Sequence, residues 1–105
     1  MSEGLERLKR PMEVFIRLRE DFRKKAGTDS LRVSIEEGET VDTLLIKLGK
    51  RYASLVEEIL DPRTGEIRED IDVLLNNRHI QRIRGIHTKL KDKDELIISP
   101  REAEG

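Results

Sequence analysis

The chain has 105 residues, enough for one domain with one modest core and too few for two. Charged residues make up 41% of it, against about 25% in an average soluble protein. Its 21 basic and 22 acidic side chains nearly cancel and are interspersed, which argues against a general polyanion-binding domain.

Cysteine is absent, so the chain carries no disulfide, no thiolate metal site and no thiol nucleophile. Its longest apolar runs are three residues, too short to span a bilayer. The first residues are charged at Glu3, Glu6, Arg7, Lys9 and Arg10 and lack the apolar stretch of a secretory signal. A soluble, cytoplasmic protein without membrane association is expected.

Residues 1–11 read as a flexible N-terminal extension. Leu5 and Leu8 could share one helical turn, but so short a helix without a partner is marginal, and Pro11 ends it. From Met12 the pattern switches to period two. Val14, Ile16 and Leu18 alternate with Phe15, Arg17 and Arg19, as in a half-buried strand. Residues 20–30, with Gly27 and Asp29 as turn residues, predict a loose loop containing Phe22. Leu31, Val33 and Ile35 then alternate as a second strand, giving an antiparallel hairpin.

Gly38 breaks that strand and Thr40 is placed to cap a helix. Val41, Leu44, Leu45, Leu48 and Tyr52 follow at spacings of three and four, one apolar stripe on an amphipathic helix. Asp42 in its first turn and Lys47, Lys50 and Arg51 in its last suit the helix dipole. Leu55, Val56 and Ile59 suggest a further turn of helix, and residues 61–65 (Asp-Pro-Arg-Thr-Gly) a loop.

Strands return in the second half. Ile71, Val73 and Leu75 alternate with Asp72, Leu74 and Asn76. Asn76 and Asn77 tolerate positive φ and so suit a tight turn, after which Ile80 is expected to resume a short strand. A charged turn at residues 91–94 leads to a last strand over residues 95–99. The order β-β-α-β-β-β predicts an α+β fold, a mixed four- to five-stranded sheet packed on one main helix in the β-grasp arrangement. The first and last strands are dense in apolar residues and belong in its middle. One sheet face remains open, and on it the period-two count places Phe15, Leu74 and Ile97 as a candidate docking patch.

Other chemistry is sparse. His79 and His87 are the only histidines and stand in no ligand pattern. Arg78, Arg82, Arg84 and Lys89 form a basic cluster without interleaved aromatics, which fits a solvated face or an acidic protein partner rather than nucleic acid. After the last strand come Pro100, Arg101, Glu102, Ala103, Glu104 and Gly105, a flexible tail with too little apolar area to pack and suited to threading into a partner.

From Met12 onward the chain resembles the MoaD-like small subunits of molybdopterin synthase and the archaeal small modifier proteins, a ubiquitin-like family of sulfur carriers. The resemblance runs through Leu18-Arg19-Glu20, Gly38-Glu39-Thr40-Val41 with Leu44-Leu45, and Val73-Leu74-Leu75-Asn76-Asn77. Its most specific part is Gly85, Ile86, Thr88, Leu90, Asp94-Glu95, the strand Leu96-Ile97-Ile98 and Pro100. In the family the tail reads Pro-Pro-x-x-Gly-Gly. Pro100 and Gly105 fall on its first and last positions, while Arg101 replaces the second proline and Glu104 the penultimate glycine.

The resemblance implies a β-grasp domain over residues 12–99, a tail over residues 100–105, and a protein that is a carrier rather than an enzyme. No cofactor is expected to be bound. An adenylating partner would use ATP to activate the Gly105 carboxylate, which would become a thiocarboxylate. The sulfur would pass to molybdopterin or tungstopterin on a synthase large subunit, or the activated carboxyl would be attacked by target-protein lysines. Glu104 motivates a third reading, an interaction module that no longer conjugates.

Overall fold

In the computed structural model, which describes residues 11–101, the opening alternation becomes strand β1, Met12–Leu18. The expected N-terminal extension, apart from Pro11, lies outside the described residues, as do residues 102–105. Val14, Ile16 and Leu18 are buried on one side of β1, as the period of two requires.

The expected loop after β1 contains a helix, α1, Asp21–Ala26. Phe22 is buried and Ala26, four residues on, packs against the core. Gly27 caps α1 at φ 75°, a left-handed conformation that costs glycine nothing, and donates its N–H to the Arg23 carbonyl. Six residues with three cations gave too short a run for a period to register. The first-turn Asp21 and the terminal glycine were the available signals.

Strand β2, Ser30–Ile35, pairs antiparallel with β1. Helix α2, Val41–Arg51, follows, and the expected cap is present: Thr40 Oγ1 accepts from the Thr43 N–H while Thr43 Oγ1 accepts from the Thr40 N–H. Val41, Leu44, Leu45 and Leu48 are buried, each contributing about 1.5–3 kcal/mol of apolar burial. The chain leaves helical geometry at Tyr52 (φ −127°, ψ 62°), so the predicted further turn is a separate helix, α3, Ala53–Ile59, burying Leu55 and Ile59.

A cluster around Glu39 joins β2 to α2. Its carboxylate accepts from the Glu36 N–H at 2.8 Å, the Thr43 hydroxyl at 2.9 Å and the Lys47 ammonium, whose Nζ also donates to the Ser34 carbonyl at 2.8 Å. Partial burial pushes the Glu39 pKa up. The hydrogen bonds from Lys47, Glu36 and Thr43 outweigh it and hold the carboxyl below its ordinary value.

Strand β3, Ile71–Leu75, turns through Asn76 and Asn77 into β4, Arg78–His79. Both asparagines have positive φ, 51° and 73°, the two-residue turn that matches strand twist. The expected strand at Ile80 is absent. β4 stops at His79, and Ile80 instead opens a 3₁₀ turn, Ile80–Arg82, with its side chain buried. Two rungs of pairing exhaust this hairpin, and the chain must bend for Ile80 to reach the core.

Strand β5, Glu95–Pro100, completes a five-stranded sheet in the order β2-β1-β5-β3-β4. β1 and β5 run parallel and the other neighbours antiparallel, so the two apolar-rich strands lie inside the sheet as expected. Helices α1, α2 and α3 all face one apolar core, and the arrangement is the ubiquitin-like β-grasp. No helix of the described residues is long and apolar enough to cross a membrane.

Candidate functional site

Strand register arranges the outward sheet face in rows, because directly paired residues point the same way. One row holds Arg32, Phe15 and Glu95. The next holds Ser30, Arg17, Ile97, Leu74 and His79. A third begins with Ser99 and Asp72. Phe15, Leu74 and Ile97 are all half-buried on this face.

The register refines the patch anticipated from sequence. Leu74 and Ile97 are paired directly, while Phe15 is a diagonal neighbour of Ile97. Between them Arg17 Nε meets Glu95 Oε2 at 2.8 Å. The apolar centre is therefore the Leu74–Ile97 pair, flanked by Arg17 on one side and His79 on the other.

Leu74 and Ile97 also line an open groove of about 1150 Å³. Asp72 and Ser99 line it beside them. Asn77, His79, Gln81 and Arg82 bound it on one side, Arg19, Glu20 and Asp21 on the other, and Pro100 and Arg101 belong to it as well. It is polar and open, a shape suited to a protein surface or an extended peptide rather than an enclosed small molecule.

Of the predicted tail, the structure describes Pro100 and Arg101. Pro100 is the last residue of β5 and pairs with Ile71, so the strand runs one residue further than expected. The Arg101 N–H donates to the Asp70 carbonyl at 2.8 Å, and Arg101 Nε donates to Asp72 Oδ1 at 3.2 Å. Glu102, Ala103, Glu104 and Gly105 lie outside the described residues.

The partnership of Asp72 was not legible in the sequence. Alternation marked it only as an outward polar residue, and only the β3–β5 register brings it beside Arg101. His79 Nδ1 stands 3.9 Å from the same carboxylate oxygen. Among the described residues no group of three His, Cys, Asp or Glu side chains could hold a metal ion.

The motif residues near the chain's end are structural. Thr88 is buried; its hydroxyl donates to the Gly85 carbonyl at 2.7 Å and accepts from the Arg84 N–H, while its carbonyl accepts from the Val41 N–H that opens α2. Asp94 is buried with Oδ1 accepting from Asn76 Nδ2 and Oδ2 from the Lys91 N–H.

The profile of the ThiS family matches residues 16–100. The chain is 29% identical over 94 residues to small archaeal modifier protein 3 of Haloferax volcanii, covering 90% of this chain and 100% of that protein. The solved structure of small archaeal modifier protein 1 from Methanosarcina acetivorans is similar with a TM-score of 0.74 at 31% identity, over 92% of this chain and 100% of that one. A Pyrococcus furiosus protein assigned as molybdopterin converting factor, subunit 1, is similar with a TM-score of 0.70 at 25% identity, over 87% and 99% of the two chains.

Proposed function

The chain belongs to the ThiS family, and on that premise we propose that it is a ubiquitin-like sulfur carrier whose reactive group is the carboxylate of Gly105. A partner enzyme adenylates that carboxylate: a carboxylate oxygen attacks the α-phosphorus of ATP and pyrophosphate leaves. A persulfide held by the partner then attacks the acyl carbon through its outer sulfur and expels AMP, and a second partner thiol cleaves the new S–S bond, leaving a thiocarboxylate on the carrier and a disulfide on the partner. The carrier contributes no catalytic side chain; its contribution is the carboxylate and the surface that brings an enzyme to it.

One observation carries the reading. The family match ends at residue 100, the last residue of an inner strand whose outward face carries the half-buried pair of Leu74 and Ile97. A docked enzyme would thus meet the apolar face and the departing C-terminal segment on one side of the domain. Similarity to the Pyrococcus furiosus molybdopterin converting factor favours a synthase large subunit as acceptor, and molybdopterin or tungstopterin as the destination of the sulfur.

A second reading rests on the two modifier proteins. The same activated carboxyl, attacked by a lysine ε-amine instead of a sulfur nucleophile, gives an isopeptide bond to a target protein. Both readings need the same first step.

The test is mass spectrometry of the full chain after incubation with ATP, the cognate activating enzyme and a sulfur donor. Exchange of one C-terminal oxygen for sulfur is expected, and deletion of Gly105 abolishes it. An active enzyme that leaves the chain unmodified sinks the carrier reading. Lysine-linked remnants of this C-terminus on cellular proteins would establish the modifier reading.

A further inference from the structure

β5 ends at the rung joining Pro100 to Ile71. Beyond it Arg101 makes two further attachments, to Asp70 just before β3 and to Asp72 within it, on either side of Ile71. Its backbone N–H donates to the Asp70 carbonyl at 2.8 Å, and its guanidinium Nε donates to Asp72 Oδ1 at 3.2 Å. A lone backbone bond at a strand end opens readily, because local opening there costs little free energy. A second attachment from the same residue, through the side chain, resists both fraying and rotation of the Arg101 peptide.

Asp72 is well placed for this. Its side chain is 21% exposed against 49% for Arg101, so the carboxylate is the held partner and the guanidinium comes to it. It belongs to the same groove as Leu74 and Ile97, and Asp72 is also approached by His79 of β4.

From Asp72, Arg101 and the groove they share, we propose that Asp72 is a positioning residue for carboxylate activation: its pairing with Arg101 holds that residue beside β3 and so fixes the point from which Gly105 is presented. The proposal rests on the carrier reading above. Gly105 is four residues beyond Arg101, and four residues reach at most about 13–14 Å, so the place at which Arg101 is held bounds where the carboxylate can be delivered. An enzyme docked on Leu74 and Ile97 holds its own active site at a fixed distance from them. Delivery of the carboxylate then depends on where Arg101 is held, and small misplacements of a reacting group lower the rate steeply.

The test uses the full chain and three variants: Asp72→Asn, Arg101→Gln, and the doubly reversed Asp72→Arg with Arg101→Asp. Hydrogen exchange of the amide at position 101 reads the attachment without any enzyme. Steady-state adenylation by the cognate activating enzyme reads the function. Each single variant should speed exchange at position 101 by on the order of fivefold, the scale of an exposed ion pair, and lower kcat by a similar factor. The loss should fall on kcat more than on KM, since Leu74 and Ile97 are untouched, and the double reversal should restore both exchange and kcat.

Single variants with unaltered exchange overturn the proposal, as do faster exchange with unaltered kcat and a loss of kcat that the reversal leaves unrescued. If the unaltered chain is not adenylated at all, the carrier reading fails, and the exchange rates still decide whether Asp72 holds the attachment.

Discussion

Leu74 and Ile97 are directly paired across β3 and β5 on the outward face of the sheet, while their neighbours Val73 and Ile98 form the adjacent pair on the core side. Four consecutive-in-space apolar residues thus divide into two pairs with different work. The core pair stabilises the fold. The outer pair is left half-exposed in the groove.

Substitution should separate those tasks. Under the carrier reading, Ile97→Lys is expected to raise the KM of activation by about tenfold or more, the scale for losing a central interface anchor, with little change in Tm. Ile98→Ala one residue away removes a fully buried side chain and should cost about 2–5 kcal/mol of stability. Thermal melts and steady-state kinetics on both variants check the division. Equal KM for Ile97→Lys and the unaltered chain would remove this face as the docking surface.

Glu39 supplies a pH dependence. Its carboxyl is held below its ordinary value of 4.5 by Lys47, Glu36 and Thr43, against the opposing effect of burial. A depressed carboxyl binds fewer protons folded than unfolded, so its contribution is complete above about pH 4.5. The contribution shrinks as pH falls and is gone below the folded-state value. Glu39→Gln should therefore cost about 1–2 kcal/mol at pH 7, the scale of hydrogen bonds to a charged group. That deficit should narrow toward zero as urea unfolding is repeated at progressively lower pH. A deficit independent of pH would mean that the ionised form contributes nothing.

Much of the fold was legible because its cues are local. The alternation of Val14, Ile16 and Leu18, the stripe from Val41 to Leu48 and the turn at Asn76 and Asn77 each follow from a period or a backbone preference. Helix α1 escaped because six residues hold too few apolar positions to establish a period, and β4 ended early because pairing length is decided by what Ile80 must bury. The site divided the same way. Facing placed Phe15, Leu74 and Ile97 outward, but the Arg17–Glu95 and Asp72–Arg101 pairs depend on register between strands distant in sequence. Thr88 and Asp94, which made the family resemblance specific, hold loops together rather than perform chemistry.

The tail departs from the family pattern at Glu104, and that departure has a measurable consequence under the carrier reading. A carboxylate beside ATP phosphates at about 4 Å is repelled by roughly 4 kcal/mol at surface-like dielectric, and its Cβ needs room that glycine does not. With an activating enzyme whose own carrier ends in Gly-Gly, Glu104→Gly should raise kcat/KM by about tenfold or more. Pyrophosphate-exchange rates for the two chains read this directly. No gain would mean that the tail channel tolerates both the charge and the side chain.

Gly49 lies inside α2, two residues from its last residue, and its backbone does not need glycine. A Cβ built there would meet the Val56 side chain at 3.7 Å, an ordinary contact. Gly49→Ala should stabilise the domain by about 0.5–1 kcal/mol through helix propensity and tighten the α2–α3 contact. A lower urea midpoint for the variant would show that α2 and α3 need more room than the contact distance suggests.

Asn76 does two things at once, and substitution can resolve them. Its φ of 51° opens the β3–β4 turn, and its side chain reaches β5: Oδ1 accepts from the Glu95 N–H and Nδ2 donates to Asp94, both at 2.9 Å. Asn77, at φ 73°, makes no side-chain hydrogen bond among the described residues and serves the turn alone. Asn77→Gly should therefore be neutral or slightly stabilising, since glycine enters positive φ without strain. Asn76→Gly keeps the turn but loses both bonds and leaves the buried Asp94 short of a donor. It should cost about 2–3 kcal/mol. Because Asp94 fixes the start of β5, that loss should also broaden the amide signals of Glu95 and Leu96, which heteronuclear NMR of the two variants would record. Equal stability of Asn76→Gly and Asn77→Gly would mean that the turn geometry, and not the bridge to β5, is what selects asparagine at position 76.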